Sequence, residues 1–211
     1  MLFNTTKKIL NERKDGGILT AIVSGRFGVG KSMYCIKTAY QLYRELGYNE
    51  DDGWRLALNA VVFKPEEFSC KLKSGFSDII IMDDASVHVG SDLYLRNNKM
   101  HTAYRQALTT IRTKTNAMLY NCPNPEELSK FVRESDAYQI YITKNYGYDR
   151  YATGYGWRRF NTRVGPQRRL MKSWVDRYSC YIPKRVYTEY LKKREKYLDK
   201  PIEVLGSSEY D

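Results

Sequence analysis

The sequence predicts an α/β fold in which a mainly parallel central sheet is flanked by helices. Apolar, β-branched segments alternate with segments of helical apolar spacing along residues 1–144. A glycine-rich loop joins the first of these strands to its helix, and a later strand ends in two carboxylates. Because ligands bind at the carboxyl ends of parallel strands, we expect the loop and the carboxylates at the same edge of the sheet.

Each predicted element rests on a local pattern. The first 15 residues form a short helix or an arm that ends at a Gly-Gly turn, residues 18–24 (ILTAIVS) form a buried strand, and residues 33–46 form a helix that stops before Gly47. The other predicted elements are a strand at 55–63 (RLALNAVVF), a helix from Pro65, a strand at 76–84, a helix in the second half of 91–112, a strand at 116–121, a helix from Pro125 and a strand at 138–144.

The loop after the first strand reads G-x-x-x-x-G-K-S. Its residues are Gly25, Arg26, Phe27, Gly28, Val29, Gly30, Lys31 and Ser32. The glycines of such a loop let backbone N–H groups converge on phosphates at the positive end of the following helix, which predicts a site for ATP. Lys31 is expected to reach the β and γ oxygens, and the Ser32 hydroxyl to hold Mg²⁺.

The second informative feature is the apolar run 79–82 (IIIM), which is followed by Asp83 and Asp84. We expect Asp83 to bind Mg²⁺ and Asp84 to orient or deprotonate the attacking water. Adjacent residues of a strand point to opposite faces, so the two carboxylates can take different roles only if the strand ends there. The alternative is a strand that simply ends in a polar turn.

Asn121 stands at the end of the predicted strand 116–121 and is followed by the segment Cys-Pro-Asn-Pro. A polar side chain at this place can contact the γ-phosphate or the attacking water and so sense hydrolysis. The alternative is an asparagine that only forms a turn before proline.

The order of these motifs resembles the ASCE division of the P-loop NTPases over residues 18–144, which implies a RecA-like P-loop NTPase fold with Walker A and Walker B motifs. The layout of residues 107–143 is similar to that of FtsK- and HerA-type packaging ATPases of viruses and plasmids. That similarity implies a homo-oligomer in which Arg112 helps to complete the site of a neighbouring subunit, with Arg133 as the other candidate. Asp84 and Asn121 are instead typical of AAA+ proteins similar to DnaA and DnaC, whereas the FtsK and HerA group usually has glutamate and glutamine.

Residues 145–211 are predicted to be a basic extension. Its segment 151–160 (YATGYGWRRF) is expected to form a Tyr-rich and Gly-rich β-hairpin with residues 138–143, or two short strands, and a final helix is expected from about Lys184 to Tyr197. Residues 144–200 contain sixteen Lys and Arg against five Asp and Glu, so this segment has a net charge of +11, equal to that of the whole chain. Basic residues interleaved with aromatic rings favour a nucleic-acid surface. The candidates are Arg158, Arg159, Arg163, Arg168 and Arg169. The alternative is a solvated hairpin whose tyrosines pack on the body of the protein.

Together these observations predict a Mg²⁺-dependent ATPase that acts on DNA during packaging, translocation or transfer of a viral or plasmid genome. An AAA+ replication initiator or helicase loader and a nucleotide or nucleoside kinase are the alternatives. No apolar run reaches the roughly 20 residues of a membrane span, and the first residues lack the apolar core of a signal peptide. We therefore expect a cytoplasmic protein, located in the host cytoplasm if it is viral.

Overall fold

A computed structural model of the chain describes residues 1–90, 98–145, 149–163 and 165–207. The start of the predicted segment 91–112 and most of the predicted connection 145–149 lie outside the described residues. The first half contains α1 (Asn4–Lys14), β1 (Leu19–Ser24), α2 (Lys31–Glu45), α3 (Glu50–Asn59), β2 (Val61–Val62), α4 (Pro65–Lys73), β3 (Ile80–Met82) and α5 (Ala85–His88). The second half contains α6 (Asn98–Thr110), β4 (Ala117–Asn121), α7 (Lys130–Arg133), β5 (Tyr138–Lys144), β6 (Asp149–Thr162), β7 (Gly165–Ser179) and α8 (Lys184–Ser207).

The seven strands form one mixed sheet in the order β2-β3-β4-β1-β5-β6-β7. The strands from β2 to β5 are parallel, and β6 and β7 are antiparallel to their neighbours. β4 lies between β1 and β3, and its register aligns Asn121 with Val23 of β1. The carboxyl ends of β1, β3 and β4 therefore meet at one edge of the sheet, as the sequence predicts.

Helices cover both faces of the sheet, which confirms the predicted α/β fold. In β1, Leu19, Ala21 and Val23 belong to one buried cluster with side chains of α1, α2, α3 and α8. Ile22 belongs to the cluster on the opposite face with side chains of α4, α6 and α7. Since successive strand residues alternate between faces, a continuous apolar run is what a strand covered on both sides requires. None of the helices in the described part of the chain is long and apolar enough to cross a membrane.

The predicted strand at 55–63 is wrong over most of its length, because this segment belongs to helix α3. Asn49 caps the helix by accepting a hydrogen bond from the Asp52 backbone N–H, and three acidic residues occupy the first turn. Trp54, Ala57 and Leu58 are buried at helical spacing. Only Val61–Val62 is a strand.

Residues 145–211 are built onto the same sheet as residues 1–144. β6 pairs with β5 from Lys144↔Arg150 to Gln139↔Tyr155, and β7 pairs with β6 over its whole length. The sequence pattern did not predict β7, whereas the start of the final helix at Lys184 is confirmed. Residues 156–162 of β6 and 165–172 of β7 extend beyond the amino end of β5. This half of the β6–β7 hairpin, the projecting hairpin, therefore extends roughly 20 Å from the edge of the sheet that lies opposite the carboxyl ends of the parallel strands.

Asp176 of β7 joins the amino-terminal helix to the core. Its buried carboxylate accepts hydrogen bonds from the Asn4 backbone N–H at 2.7 Å, the Asn4 side-chain amide at 2.8 Å and the Tyr34 hydroxyl at 2.7 Å. Hydrogen bonds to a charged group are worth about 1.5–3 kcal/mol each, so we expect Asp176→Asn to lower the free energy of unfolding by about 3 kcal/mol. Urea denaturation measures this change.

Asp149→Asn is the matched control, since Asp149 pairs with Arg177 on the surface of the same two strands. Surface ion pairs contribute about 0–1 kcal/mol, so this variant should remain close to the unchanged protein. Equal losses for the two variants would contradict the role given to Asp176.

Buried tyrosines make the stability of the fold depend on pH in the alkaline range. Burial, together with the charge of Asp78, raises the pKa of Tyr43 from 10.0 to about 12. Burial also raises the pKa of Tyr34, Tyr104 and Tyr120. A tyrosine whose pKa is higher in the folded state than in the unfolded state stabilises the fold at pH values below its unfolded-state pKa. That stabilisation is lost as the pH rises through its folded-state pKa.

We therefore expect the free energy of unfolding to fall between about pH 10 and pH 12. Phenolate absorbance and circular dichroism, followed on the same samples, should show the last tyrosines ionising only as the helices unfold. Complete ionisation in a protein that is still folded would contradict this expectation.

Candidate nucleotide-binding site

The glycine-rich loop connects the end of β1 to the start of α2. Gly25, Gly28 and Gly30 have φ values of +143°, +72° and +100°, in the range that favours glycine. α2 is 15 residues long and begins at Lys31, so its positive end faces the loop. The backbone geometry therefore fits the anion-binding loop that the sequence predicts.

Lys31 lies against this loop. Its Nζ donates hydrogen bonds to the carbonyl oxygens of Gly25 at 2.9 Å and Arg26 at 3.1 Å, and the residue is only 9% exposed. Burial lowers the pKa of Lys31, and nearby acidic groups, among them Asp84 and Asp83, partly oppose that effect. An anion at the loop would offer the ammonium group a stronger partner than the two carbonyls.

Ser32, Asp83 and Asn121 form a polar cluster at the edge of the sheet. The Ser32 hydroxyl donates to Asp83 Oδ1 at 3.0 Å, and the Asn121 side-chain amide donates to Ser32 Oγ at 3.0 Å and also to Asp83 Oδ1. Asn121 Oδ1 is buried and has no hydrogen-bond partner in the described part of the chain. Since buried carbonyl oxygens are normally satisfied, this atom marks a place for a donor that a ligand or water would bring.

The cluster fits a magnesium ion as part of a larger ligand set. Mg²⁺ binds oxygen atoms at about 2.0–2.1 Å in octahedral geometry, so adjacent ligands lie about 2.9 Å apart. Ser32 Oγ and Asp83 Oδ1 are 3.0 Å apart, which suits two adjacent ligands. Among the described residues no group of three or more His, Cys, Asp and Glu side chains could hold a metal. Phosphate oxygens and water would therefore have to complete the coordination.

Asp84 follows immediately but has a different environment. β3 ends at Met82, and Asp84 adopts a left-handed conformation with φ of +49°, which no other described residue except glycine shows. The chain turns at this point, so Asp84 lines the cleft beside the loop while Asp83 stays buried in the cluster. The predicted strand at 76–84 is therefore too long, since β3 covers only Ile80–Met82 and ends before the two carboxylates, as different roles for them would require.

Helix α8 contacts both carboxylates, a feature that sequence reasoning missed. The Tyr190 hydroxyl donates to Asp83 Oδ2 at 2.7 Å, and Arg194 forms an ion pair with Asp84 at 3.3 Å. Burial raises the pKa of Asp83, the charge of Asp84 adds to this, and the hydrogen bonds from Tyr190, Asn121 and Ser32 oppose it. The available signal was the apolar spacing of Val186, Tyr190 and Tyr197, with Arg194 four residues after Tyr190 on the same face.

Strands β6 and β7 support the loop from the other side. Arg150 Nε donates to the Val29 carbonyl at 3.0 Å, and the Tyr178 hydroxyl donates to the Gly30 carbonyl at 3.1 Å. A Cβ atom at Gly30 would lie 2.3 Å from Cys180 Sγ, so Gly30 is required by its surroundings as well as by its φ value. The carboxyl-terminal segment therefore helps to shape the site.

A cleft of about 580 Å³ lies between the loop and α8. This volume is within the range of small-molecule sites. Its polar lining includes Lys31, Ser32, Asp84, Asn121, Arg150 and Arg194, and its apolar lining includes Phe27, Tyr181, Ile182, Tyr187 and Leu191. The cleft thus brings together the predicted loop, metal and sensor residues with side chains that the sequence did not assign to the site.

The structure does not bring the other predicted site residues to this cleft. Arg112 is exposed in the turn before β4, and therefore lies at the opposite edge of the sheet. Arg133 binds the Leu128 carbonyl and Glu126 of its own chain. The candidate nucleic-acid residues Arg158, Arg159, Arg163, Arg168 and Arg169 lie on the projecting half of the hairpin, also at that opposite edge.

Comparison with known proteins identifies a viral relative. No protein-family model matches the chain. The chain is 30% identical over 210 residues to "Uncharacterized protein B-251" of Sulfolobus spindle-shape virus 1, and the match covers 94% of this chain and 82% of the relative. At this identity and coverage, the chain belongs to the same family as protein B-251 of Sulfolobus spindle-shape virus 1.

Proposed function

We propose that this protein is a Mg²⁺-dependent ATPase with a RecA-like P-loop core that acts on the DNA of a virus. The observation that carries the proposal is the convergence of four side chains from distant parts of the sequence beside one cleft. Lys31 and Ser32 begin α2, Asp83 follows β3, and Asn121 ends β4. Chance glycine-rich loops do not come with a buried lysine, a metal-binding pair and a buried amide in register.

Each residue of the site has a separate role in the transfer of the γ-phosphoryl group to water. Lys31 exchanges its loop carbonyls for the β and γ oxygens of ATP, and backbone N–H groups of the loop hold the phosphates. Ser32 and Asp83 hold Mg²⁺, which when bound neutralises negative charge on the phosphates. Asp84 accepts a proton from the attacking water or orients it, and the free Asn121 Oδ1 accepts a hydrogen bond from the same water.

The projecting hairpin supports the proposal that the partner is a polyanion. Arg158 faces Arg169 across the two strands, and Arg159 faces Arg168. Like charges directly opposite each other destabilise a sheet, so these pairs favour a ligand that neutralises them. Arg168 pairs with Asp136 at 3.2 Å and stacks on Trp157. The side chains of Arg158, Arg159 and Arg163 form no hydrogen bond or ion pair within the described residues, which leaves them available for phosphates.

The viral relative supports the viral part of this proposal. A basic hairpin on a P-loop ATPase of this size suits a protein that moves or remodels a viral genome. Arg112, exposed at the far edge, is available to a neighbouring subunit of a homo-oligomer rather than to its own site.

Steady-state ATP hydrolysis with Mg²⁺ tests the proposal. The rate is measured alone, with single-stranded DNA and with double-stranded DNA, at low and at high salt. We expect DNA to stimulate hydrolysis and the stimulation to fade as salt rises, because phosphate contacts depend on counterion release. A protein that neither binds nor hydrolyses ATP would refute the ATPase, and hydrolysis indifferent to DNA would refute the DNA part alone.

The hairpin arginines provide a sharper prediction. Replacing Arg158, Arg159 and Arg163 together by alanine should lower the slope of log affinity for double-stranded DNA against log salt by about 2–3, since each phosphate contact contributes about 0.9. Hydrolysis without DNA should not change, because these residues lie at the edge opposite the cleft. The control removes three exposed lysines elsewhere, Lys14, Lys73 and Lys130. An equal change in the control would show that only net charge matters.

A further inference from the structure

The cleft beside the loop has exposed aromatic rings on its walls. Phe27 is 84% exposed, Tyr181 is 79% exposed and Tyr187 is 46% exposed, and all three line the cleft. Ile182 and Leu191 add apolar surface between them. Exposed rings that gather around one concavity indicate a site for a flat, apolar group.

Tyr181 is held in a fixed position although its ring is exposed. Cys180, the residue before it, packs against Gly30 of the loop, and Lys37 binds the Ser179 carbonyl at 2.7 Å. Ile182, the residue after it, is buried. The backbone on both sides of Tyr181 is therefore anchored, so a ligand that stacks on this ring does not have to order a mobile segment.

The position of Tyr181 relates it to the phosphate loop. Cys180, the residue before Tyr181, contacts Gly30, and Tyr181 and Gly30 line the same cleft. Phe27 is less suited to the same task, since its ring centroid is 5.6 Å from Lys31 Nζ and so lies near the phosphate end of the cleft. The apolar end is thus provided by the connection from β7 to α8.

We propose that Tyr181 is the stacking platform for the base of the nucleotide whose phosphates the loop binds, which makes this end of the cleft a nucleobase subsite. The inference rests on the proposed function and deepens it, because it assigns the base-binding surface to the carboxyl-terminal segment rather than to the P-loop core. Aromatic rings bind bases through their faces, so the subsite accepts purines and favours nucleotides over inorganic triphosphate.

The test compares the binding of ATP with that of inorganic tripolyphosphate, both with Mg²⁺, by calorimetry on the full chain. In the unchanged protein ATP should bind more tightly than tripolyphosphate. Tyr181→Ala should weaken ATP binding about tenfold, as expected for the loss of one stacked base, and leave tripolyphosphate binding within about twofold. Tyr181→Phe keeps the ring and should keep the affinity for ATP. Tyr48→Ala, which removes another exposed tyrosine away from the cleft, should change neither value.

The outcomes separate the two proposals. If Tyr181→Ala leaves ATP affinity unchanged, or weakens ATP and tripolyphosphate equally, the subsite is wrong while the phosphate loop stands. If the unchanged protein binds neither compound, the proposed function fails and the subsite with it. Since Tyr181 is largely exposed, its replacement should not alter the thermal unfolding temperature, and this is measured for each variant.

Discussion

Replacing Asp84 by asparagine should reduce the rate of ATP hydrolysis at least about 100-fold, because general-base catalysis contributes roughly 10²–10⁴-fold. Binding of ATP should change little, since in the proposed function the loop and Lys31 bind the phosphates. Asparagine also accepts the left-handed conformation of residue 84, so the variant keeps the local backbone. Single-turnover hydrolysis and equilibrium binding of ATP on the same preparation measure the two effects.

Asp136→Asn is the control for the loss of a carboxylate from an Asp–Arg pair. Asp136 forms an ion pair at 3.2 Å with Arg168 of the projecting hairpin. Asp84 forms a similar ion pair at 3.3 Å with Arg194 in the cleft. The control should hydrolyse ATP at the unchanged rate. An unchanged rate of hydrolysis in the Asp84 variant would show that Asp84 does not act on the attacking water. An equal loss of ATP binding and hydrolysis would show that its role is structural.

Replacing Lys31 by alanine should weaken ATP binding at least about 30-fold, since truncating one partner of a buried, hydrogen-bonded charge pair costs about 2–5 kcal/mol and each 1.4 kcal/mol is about tenfold. The folded state should lose little, because among the described residues the ammonium group donates its hydrogen bonds to two loop carbonyls. Titration with a fluorescent ATP analogue measures affinity, and thermal unfolding measures the fold.

Lys130→Ala is the matched control, because Lys130 is exposed and pairs only with Glu134 one turn away. It should bind ATP like the unchanged protein. A Lys31 variant that still binds ATP tightly would show that the loop does not bind the phosphates. That result would contradict the assignment of the cleft as a nucleotide-binding site. The Asp84 and Lys31 variants together therefore separate binding from chemistry.

The elements predicted most accurately are those with strong local signals. β1 and the loop follow from a β-branched run and from glycines whose φ values are positive in the structure. The predicted strand at 55–63 failed because a cap at Asn49 and three acidic residues start a helix there, and its apolar spacing suits both structures. β7 was missed because its exposed half, residues 165–172 (GPQRRLMK), does not alternate apolar with polar residues.

The candidate site likewise contains residues that the sequence predicted and residues that it did not. Asp83 and Asn121 stand at the ends of predicted strands, and Lys31 and Ser32 follow the loop after a third strand. A parallel sheet aligns such ends regardless of the rest of the fold. Arg194 was not assigned to the site, since the count of basic residues in the last helix does not show which side of that helix packs on the sheet. Arg112 follows α6 in sequence, but the turn before β4 places it at the far edge.

The sequence by itself determined the α/β sheet and the loop with its carboxylates, because backbone conformation, capping and strand ends depend on residues a few positions apart. Only the tertiary structure decided that Tyr190 binds a carboxylate 107 positions earlier and that Cys180 packs on Gly30. Such contacts depend on how an amphipathic helix and a hairpin dock on the core. Several surfaces can satisfy the same apolar pattern, so packing selects one of them and local sequence does not.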